Sequence, residues 1–399
     1  MVAKSRQVLV IGTGPSALMA ASRLALHPQI KVQLIEKRKA PGRKILIAGS
    51  SGLNITHELP IAEFADQYRG SAPAGFWQPI LTRFTPQSWI RFLEEDLKQE
   101  TFLGTSRRYF VREMKASKML RAWLQFLEEK GVTLRTGAEI TDITSSGVCL
   151  DGGETVNADA VVLALGGASY EPEEMPLRWI RIFEQKGIRV EEFCSSNAGY
   201  EVAWKKEFLA EVEGQPLKNC VLTTALGSKR GELVITRYGL EGTPVYTLGC
   251  VGKAYLDLLP EVTQVDLLKK LSSVKENLSP LRRVKKKLGL SESTLALLYH
   301  HAPRAELSSV ESISRLLKRF PIDLTSARPL TESISSSGGI HFQEVDPGTL
   351  MLRKVPGVFC AGEMLDWDAP TGGFLIQGAV STGYRAGEAA ARFALERVT

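Results

Sequence analysis

Two glycines near the start of the chain stand in the run Gly12-Thr13-Gly14-Pro15-Ser16-Ala17, and a carboxylate, Glu36, follows 19 residues beyond Ala17. Gly12 permits a tight turn and Gly14 lets the backbone come close to a pyrophosphate. Ala17 keeps the following helix near its sheet, and the free N–H groups where that helix begins bring partial positive charge to the phosphates. A carboxylate at the distance of Glu36 accepts hydrogen bonds from ribose hydroxyls. The chemistry these residues suit is recognition of a dinucleotide. Glycines at this spacing arise by chance in many loops, so their setting matters. Arg6 to Ile11 predicts a buried strand, Leu18 to Leu26 a helix, and Lys31 to Glu36 a second strand ending in the acid. Gly12, Gly14, Pro15, Ser16, Ala17, Glu36 and the adjoining Lys37 are therefore the first set of candidate cofactor residues. Glu36 disfavours a ribose 2′-phosphate, which leaves FAD or NAD.

A second informative stretch lies near the other end of the chain. Val358 to Ala361 predicts a short buried strand, Gly362-Glu363 follow it, and Ala369-Pro370-Thr371-Gly372-Gly373 lead into a helix from Phe374 to about Leu395. The N–H groups from Gly372 to Leu375 suit an anionic group at the helix start. A flavin needs this, because its reduced form carries negative charge near N1 and the adjacent carbonyl. Glu363 can accept hydrogen bonds from ribityl hydroxyls. Ala379, Gly383 and Gly387, four apart, make a smooth stripe that lets the helix lie close to a sheet or a flat ligand, and packing alone is the first reading of it. An NAD dehydrogenase has no use for this second half-site, whereas an extended cofactor reaching from Gly14 to Gly372 does. The cofactor expected is FAD.

Between these ends, Pro41-Gly42-Arg43-Lys44 opens a loop running on through Gly49-Ser50-Ser51-Gly52-Leu53-Asn54. Its cations suit a second approach to a diphosphate, and a solvated turn is the rival reading. Asp366, Asp368, Arg237, Tyr238 and His341 are polar groups that a substrate pocket would use, each with an ordinary structural alternative, and no catalytic acid or base is singled out. Adjacent His300 and His301 point about 100° apart on a helix, which suits chelation poorly, so no metal site is expected. Five scattered cysteines without close pairs argue for reduced thiols and a cytoplasmic protein.

The elements that must position these groups follow from pattern and composition. With 399 residues the chain calls for two or three domains, and 44% hydrophobic with 24% charged residues excludes a disordered or fibrous chain. No apolar run reaches the ~20 residues of a membrane helix, and the apolar run ending at Gly12 is too short for a secretory signal. The excess of +6 permits an anionic ligand without requiring nucleic acid. Lys115 to Lys130 predicts an amphipathic helix, and Ala160 to Leu165 a buried strand entering Gly166-Gly167. The expected organisation is a doubly wound FAD-binding domain over 1–192 and 331–399. A β-barrel or sandwich insert occupies 193–262 and 320–342, and a helical subdomain 263–319, with Ser279-Pro280 and Ser308 with Glu311 starting helices there. Lys269, Lys270, Arg282, Arg283, Lys285, Lys286 and Lys287 make that subdomain basic, read first as a solvated face and second as an RNA footprint.

Several of these blocks together resemble the YhiN-like family of FAD-dependent flavoproteins, which includes BaiN-type reductases and aminoacetone oxidase. They are Gly12 to Ala21, Pro41 to Lys44 with Asn54, Ala164 to Tyr170, Gly231 to Gly242 and Ala361 to Gly373. The resemblance implies a glutathione-reductase-type FAD-binding Rossmann domain, interrupted by a β-barrel that itself carries a helical subdomain. It implies further that Ile140 gives backbone contacts to the adenine and that Gly166 lies near the cofactor. The chain departs from the family at Ala17, usually glycine, and at Gly52-Leu53-Asn54, where the family has Arg-Cys-Asn. It departs again at Ile235-Thr236-Arg237 in place of Phe-Thr-His and at Gly242-Thr243 in place of Gly-Pro. These changes mark a divergent subfamily.

The expected activity is FAD-dependent hydride transfer on a small molecule, as an NAD(P)H-dependent reductase or an amine-type oxidase. No second glycine fingerprint is present, so NAD(P)H would bind transiently at the flavin. The alternative is an RNA-associated or redox-sensing flavoprotein in which FAD is structural.

Overall fold

Val8, Leu9, Val10 and Ile11 are buried on both faces of their strand, as parallel sheets require. In the computed structural model, which describes residues 5–49, 53–172, 177–272 and 279–396, this strand (Arg6–Ile11) is the centre of a five-stranded sheet. The order is Val358–Cys360, Ala160–Leu163, Arg6–Ile11, Ile30–Glu36 and Thr133–Thr136, every pair parallel. The register sets Ile11 beside Ile35 and Leu163, and Leu163 beside Cys360. Gly12, Glu36, Ala164 and Ala361 therefore reach the same carboxyl edge of the sheet side by side. Open α/β sheets bind their ligands at that edge.

The first of two compact units comprises the described residues of 1–194 and 334–399; the second comprises those of 195–333. In the first, an antiparallel three-stranded sheet (Ile140–Thr144, Gly147–Leu150, Thr155–Asn157) forms the crossover between parallel strands. Residues 335–340, which fall in both of the expected ranges, pair with Val190–Ser196 and belong to the first unit. The stripe on the C-terminal helix (Phe374–Glu396) serves packing. Gly383 and Gly387 face the helix Pro15–Leu24: a Cβ on Gly383 would overlap the Ser16 carbonyl, and one on Gly387 would lie 2.8 Å from that of Ala20. The two helices bearing the candidate half-sites are thus packed backbone to backbone.

The amphipathic helix Ala116–Glu129 buries Met119, Leu120, Trp123 and Leu127. Trp123 is fully buried beside Trp89, and its indole N–H donates to Ser22 Oγ at 2.9 Å. Trp123→Ala removes the ring and leaves that hydroxyl short of a partner. Urea unfolding should show a loss of about 3–5 kcal/mol.

In the second unit six antiparallel strands run in the order Tyr200–Glu201, Gly239–Glu241, Gly227–Thr236, Pro216–Thr224, Gly252–Asp257, Phe320–Leu324. The last returns to the first through the Tyr200–Ala327 bridge, with Glu201 N–H donating to Ser326 O (2.8 Å) and Thr325 N–H to Glu201 O (3.0 Å). The sheet closes into a small barrel, which leaves no free edge. Helices fill residues 264–318 beside it, apart from 273–278, which lie outside the described residues. Pro280–Leu288 follows Ser279 and ends at Gly289 in the left-handed conformation. Val310–Lys318 is capped by Ser309, whose hydroxyl accepts from Ser312 N–H, one residue past the expected Ser308.

His300 and His301 are packing residues. His300 lies 3.0 Å from Glu211, and His301 sits edge-on to Phe208 and Trp204. Burial, with Lys205 and His300 adding repulsion, lowers the His301 pKa to about 4. Between about pH 6.5 and 4 the unfolded chain takes up a proton that the folded unit refuses, so stability present at pH 7 is lost as the pH falls. Unfolding free energies compared at pH 7 and pH 5 should differ by on the order of 1 kcal/mol from this group. The difference should shrink in His301→Leu.

Candidate functional site

The carboxyl edge of the parallel sheet gathers the residues of both half-sites. Gly12 leaves its strand at φ 110°, its N–H donating to Ile35 O at 2.7 Å, and a Cβ there would overlap the Ala164 carbonyl. This glycine is needed by the fold. Gly14 differs: it caps the helix Pro15–Leu24 in extended backbone (φ −75°), and a Cβ there meets no described atom within 4 Å. Open space therefore lies before unpaired helix N–H groups. Ala17 is fully buried, its methyl tolerated where the family has glycine.

Glu36 ends its strand almost wholly buried. Thr13 donates its hydroxyl to Oε2, and the Arg38 N–H donates to Oε1 at 3.0 Å. Thr13 Oγ1 in turn accepts from the Gly42 N–H at 3.0 Å, tying the Pro41–Lys44 turn to the fingerprint. Each carboxylate oxygen retains a lone pair for a further donor. Ile140 is buried beside this corner, where the Ala138 N–H donates to Glu36 O.

Arg43 and Lys44 open a six-residue helix rather than a continuing loop. Arg43 donates to the Tyr170 carbonyl, Lys44 to the Gly167 carbonyl at 2.6 Å. Lys37, Arg38 and Lys44 surround Glu171 at 3.2, 2.7 and 3.9 Å. Gly166 turns at φ 75° with Lys44 Nζ as the nearest atom to a would-be Cβ (3.5 Å). Burial lowers the Lys44 pKa against the pull of Glu363 and Glu171. Burial likewise raises that of Glu363, helped by Asp368 and opposed by Lys44. Residues 50–52 of the loop before Asn54 lie outside the described residues.

Gly362 turns at φ 78°, and a Cβ on it would overlap Ser16 Oγ. Here the two distant stretches of sequence touch. The Gly362 N–H donates to Thr382 Oγ1 at 3.0 Å, and the Trp367 indole donates to Gly362 O at 2.8 Å. Gly372 (φ 117°) and Gly373 (φ 99°) then lead into Phe374. A Cβ on Gly373 would lie 2.5 Å from the Thr56 carbonyl carbon, and one on Gly372 3.1 Å from Arg108 Nε.

Four residues here were not legible in sequence. Thr56, His57 and Arg108 come from the antiparallel pair Asn54–His57 and Arg108–Val111. Tyr68 donates its hydroxyl to Phe374 O at 2.8 Å. Their distance along the chain from the glycine block left no spacing to read. Among the described residues, Asn54 Oδ1, Thr56 Oγ1 and His57 Nδ1 are buried without a hydrogen-bond partner. Three orphaned polar atoms on one strand against a helix start, together with the empty space at Gly14, fit an extended ligand such as FAD.

The pocket candidates have structural tasks. Asp366 accepts from Ser71 N–H (3.1 Å), and Asp368 from Ser335 Oγ (3.3 Å). His341 Nδ1 accepts from Gln343 N–H and starts a short turn. In the second unit Tyr238 donates to Glu241 and lies under Arg328, burial pushing its phenol pKa up, and Arg237 is exposed. No group of three or more metal-ligating side chains occurs among the described residues, and no helix there is long and apolar enough to cross a membrane.

Residues 6–389 match the family model described as HI0933-like protein Rossmann domain. The chain belongs to this family. Like other HI0933-like proteins it has the FAD-binding Rossmann fold and is an FAD-dependent oxidoreductase. Two relatives span nearly the full length. One is a 3-dehydro-bile acid delta(4,6)-reductase of Clostridium scindens, 25% identical over 96% of this chain and 98% of the relative. The other is a ribosomal RNA dihydrouridine synthase of Escherichia coli, 26% identical over 94% and 96%. Among solved structures, 3-ketosteroid delta1-dehydrogenase of Sterolibacterium denitrificans matches with a TM-score of 0.55 at 12% identity, covering 98% of this chain and all of that one. At that identity it speaks for the fold.

Proposed function

We propose that this HI0933-like protein transfers hydride through FAD to an electron-poor carbon–carbon double bond, with NADH or NADPH as a transient donor. The observation carrying the cofactor part is the contact of Gly362 with Ser16 at the edge where Gly12 and Glu36 also emerge. One ligand of dinucleotide length can then touch both glycine blocks. The direction of reaction rests on the two relatives, one named a reductase of a 3-dehydro-bile acid and the other a synthase of dihydrouridine in ribosomal RNA.

When bound, FAD supplies the two-electron chemistry. In this reading Gly14, Pro15, Ser16 and Ala17 present the helix start to the pyrophosphate, and Glu36 accepts from the adenosine ribose. Lys37, Arg43 and Lys44 supply positive charge nearby, and the Ile140 backbone meets the adenine. Gly166 lets the chain pass close, Asn54 offers its unpaired carbonyl, and Gly362 and Glu363 face the ribityl chain. Gly372, Gly373 and Phe374 direct N–H groups at the pyrimidine end of the ring, where they hold developing negative charge.

Anaerobic stopped-flow mixing tests the proposal. Rapid bleaching of the flavin by NADH or NADPH, with reoxidation by an enone, is the expected result. Bleaching by amines alone, with peroxide formed on re-aeration, would replace it with an oxidase.

A second reading takes RNA as the substrate carrier, and one feature favours it. Helix Pro280–Leu288 exposes Arg282, Lys285, Lys286 and Lys287 while burying Val284, and one relative named above acts on ribosomal RNA. Gel-shift binding of ribosomal RNA fragments at low salt, abolished when Lys285, Lys286 and Lys287 become alanine, supports this reading; no binding removes it.

A further inference from the structure

We propose that Arg108, held by the strand that carries His57, is the charge partner of the pyrimidine end of the bound flavin and makes that ring a stronger electron acceptor. The proposal rests on the FAD reading above and adds a residue outside both glycine blocks.

Four observations carry it. Arg108 and His57 are directly paired across neighbouring antiparallel strands. The Arg108 guanidinium lies against Gly372, its Nε, Cζ and Nη2 at 3.1, 3.5 and 3.6 Å from where a Cβ would stand. The His57 ring stacks on Phe374, the first residue of the C-terminal helix, at 5.1 Å and 17°. Finally, fully buried Thr56 backs onto Gly373, and Thr56 Oγ1, His57 Nδ1 and Asn54 Oδ1 have no hydrogen-bond partner among the described residues.

The electrostatics follow from this placement. The N-terminus of a 23-residue helix carries about half a positive charge. A guanidinium beside it adds a full one, in surroundings where charges act strongly on each other. His57 contributes no third charge, since burial, with Arg108 and Arg107 repelling a proton, keeps its pKa low. Burial also lowers the Arg108 pKa. The orphaned polar atoms show that the same corner is built for a ligand. Electrons entering a flavin place negative charge on N1 and its neighbouring carbonyl, the end that the Gly372–Phe374 turn faces in the FAD reading. Arg108 then favours the reduced ring over the oxidised one.

Sulfite reads this field without turnover. Its sulfur lone pair forms a bond to flavin N5, and the displaced electron pair moves to N1 and the carbonyl, so adduct stability follows positive charge at that end. In the holoprotein, Arg108→Met should weaken sulfite binding at least tenfold, which corresponds to ~1.4 kcal/mol. It should also make the flavin midpoint potential more negative, while Arg108→Lys stays within a few-fold of wild type. Equal sulfite affinity and potential in wild type and Arg108→Met would overturn the proposal. If Arg108→Met does not retain flavin, Arg108→Lys decides: near-wild-type sulfite affinity supports a charge role, and a tenfold loss overturns it. A colourless wild-type protein that takes up no FAD would sink the cofactor reading instead, and the spectrum reveals that before any sulfite is added.

Discussion

Gly14→Val should give a protein that folds with nearly wild-type stability and is colourless. In most glycine fingerprints the two effects are entangled, because the glycines serve the turn and the ligand at once. Here they separate. Gly14 has φ −75° and ψ 177°, a backbone any residue adopts, and its would-be Cβ meets no described atom within 4 Å. The protein itself gives no steric reason for glycine there. A ligand lying against the helix start does, because a branched side chain would stand between the N–H groups and the phosphates. FAD affinity should fall at least 100-fold, equivalent to ~2.7 kcal/mol. Unfolding of the ligand-free protein should change by no more than about 1 kcal/mol, because valine is a poorer N-cap than glycine and the unfolded chain's loss of freedom offsets part of that cost. Titration of apoprotein with FAD, followed by flavin fluorescence, and urea unfolding without FAD read the two effects separately. Undiminished flavin binding would remove Gly14 from the site.

Gly362→Ala tests the place where the two half-sites meet, and its effect should fall on fold and ligand together. A Cβ there overlaps Ser16 Oγ and lies 3.0 Å from Ser16 Cβ, and the backbone sits at φ 78°. Left-handed backbone costs an alanine roughly 1–2 kcal/mol, and the overlap drives the C-terminal block away from the fingerprint helix. A total loss of about 3 kcal/mol is expected in urea unfolding, with weak or absent flavin. Adding Ser16→Gly removes the atoms that clash and should restore part of the stability, leaving the backbone strain behind. A double variant no more stable than Gly362→Ala would show that the overlap is not the cause. The pair thus separates packing from conformation.

Much of the fold could be read locally. The strand–glycine–helix–strand beginning is written in consecutive residues, because a buried parallel strand needs an apolar run and a tight turn needs glycine. The amphipathic helix at 116–129 and the stop at Gly289 are equally local. Reading failed where two choices satisfied the same pattern. The small-residue stripe at Gly383 and Gly387 demanded close approach but did not name its neighbour, and the neighbour is a helix. Residues 335–340 had strand character without a stated partner, and pair with 190–196 rather than with the barrel. Ser308 and Ser309 could each cap a helix, and the backbone selects Ser309.

Local chemistry in the chain thus sufficed for the cofactor class and for nominating the two glycine blocks, since phosphate and flavin recognition rely on backbone N–H groups whose placement glycines announce. Folding added what no local pattern encodes: the register that brings Gly12, Glu36, Ala164 and Ala361 to one edge, and the strand pair that carries Arg108 to Gly372. Long-range contacts of this kind depend on which surfaces bury each other, and a side chain 264 positions away from its neighbour leaves no periodicity by which to find it.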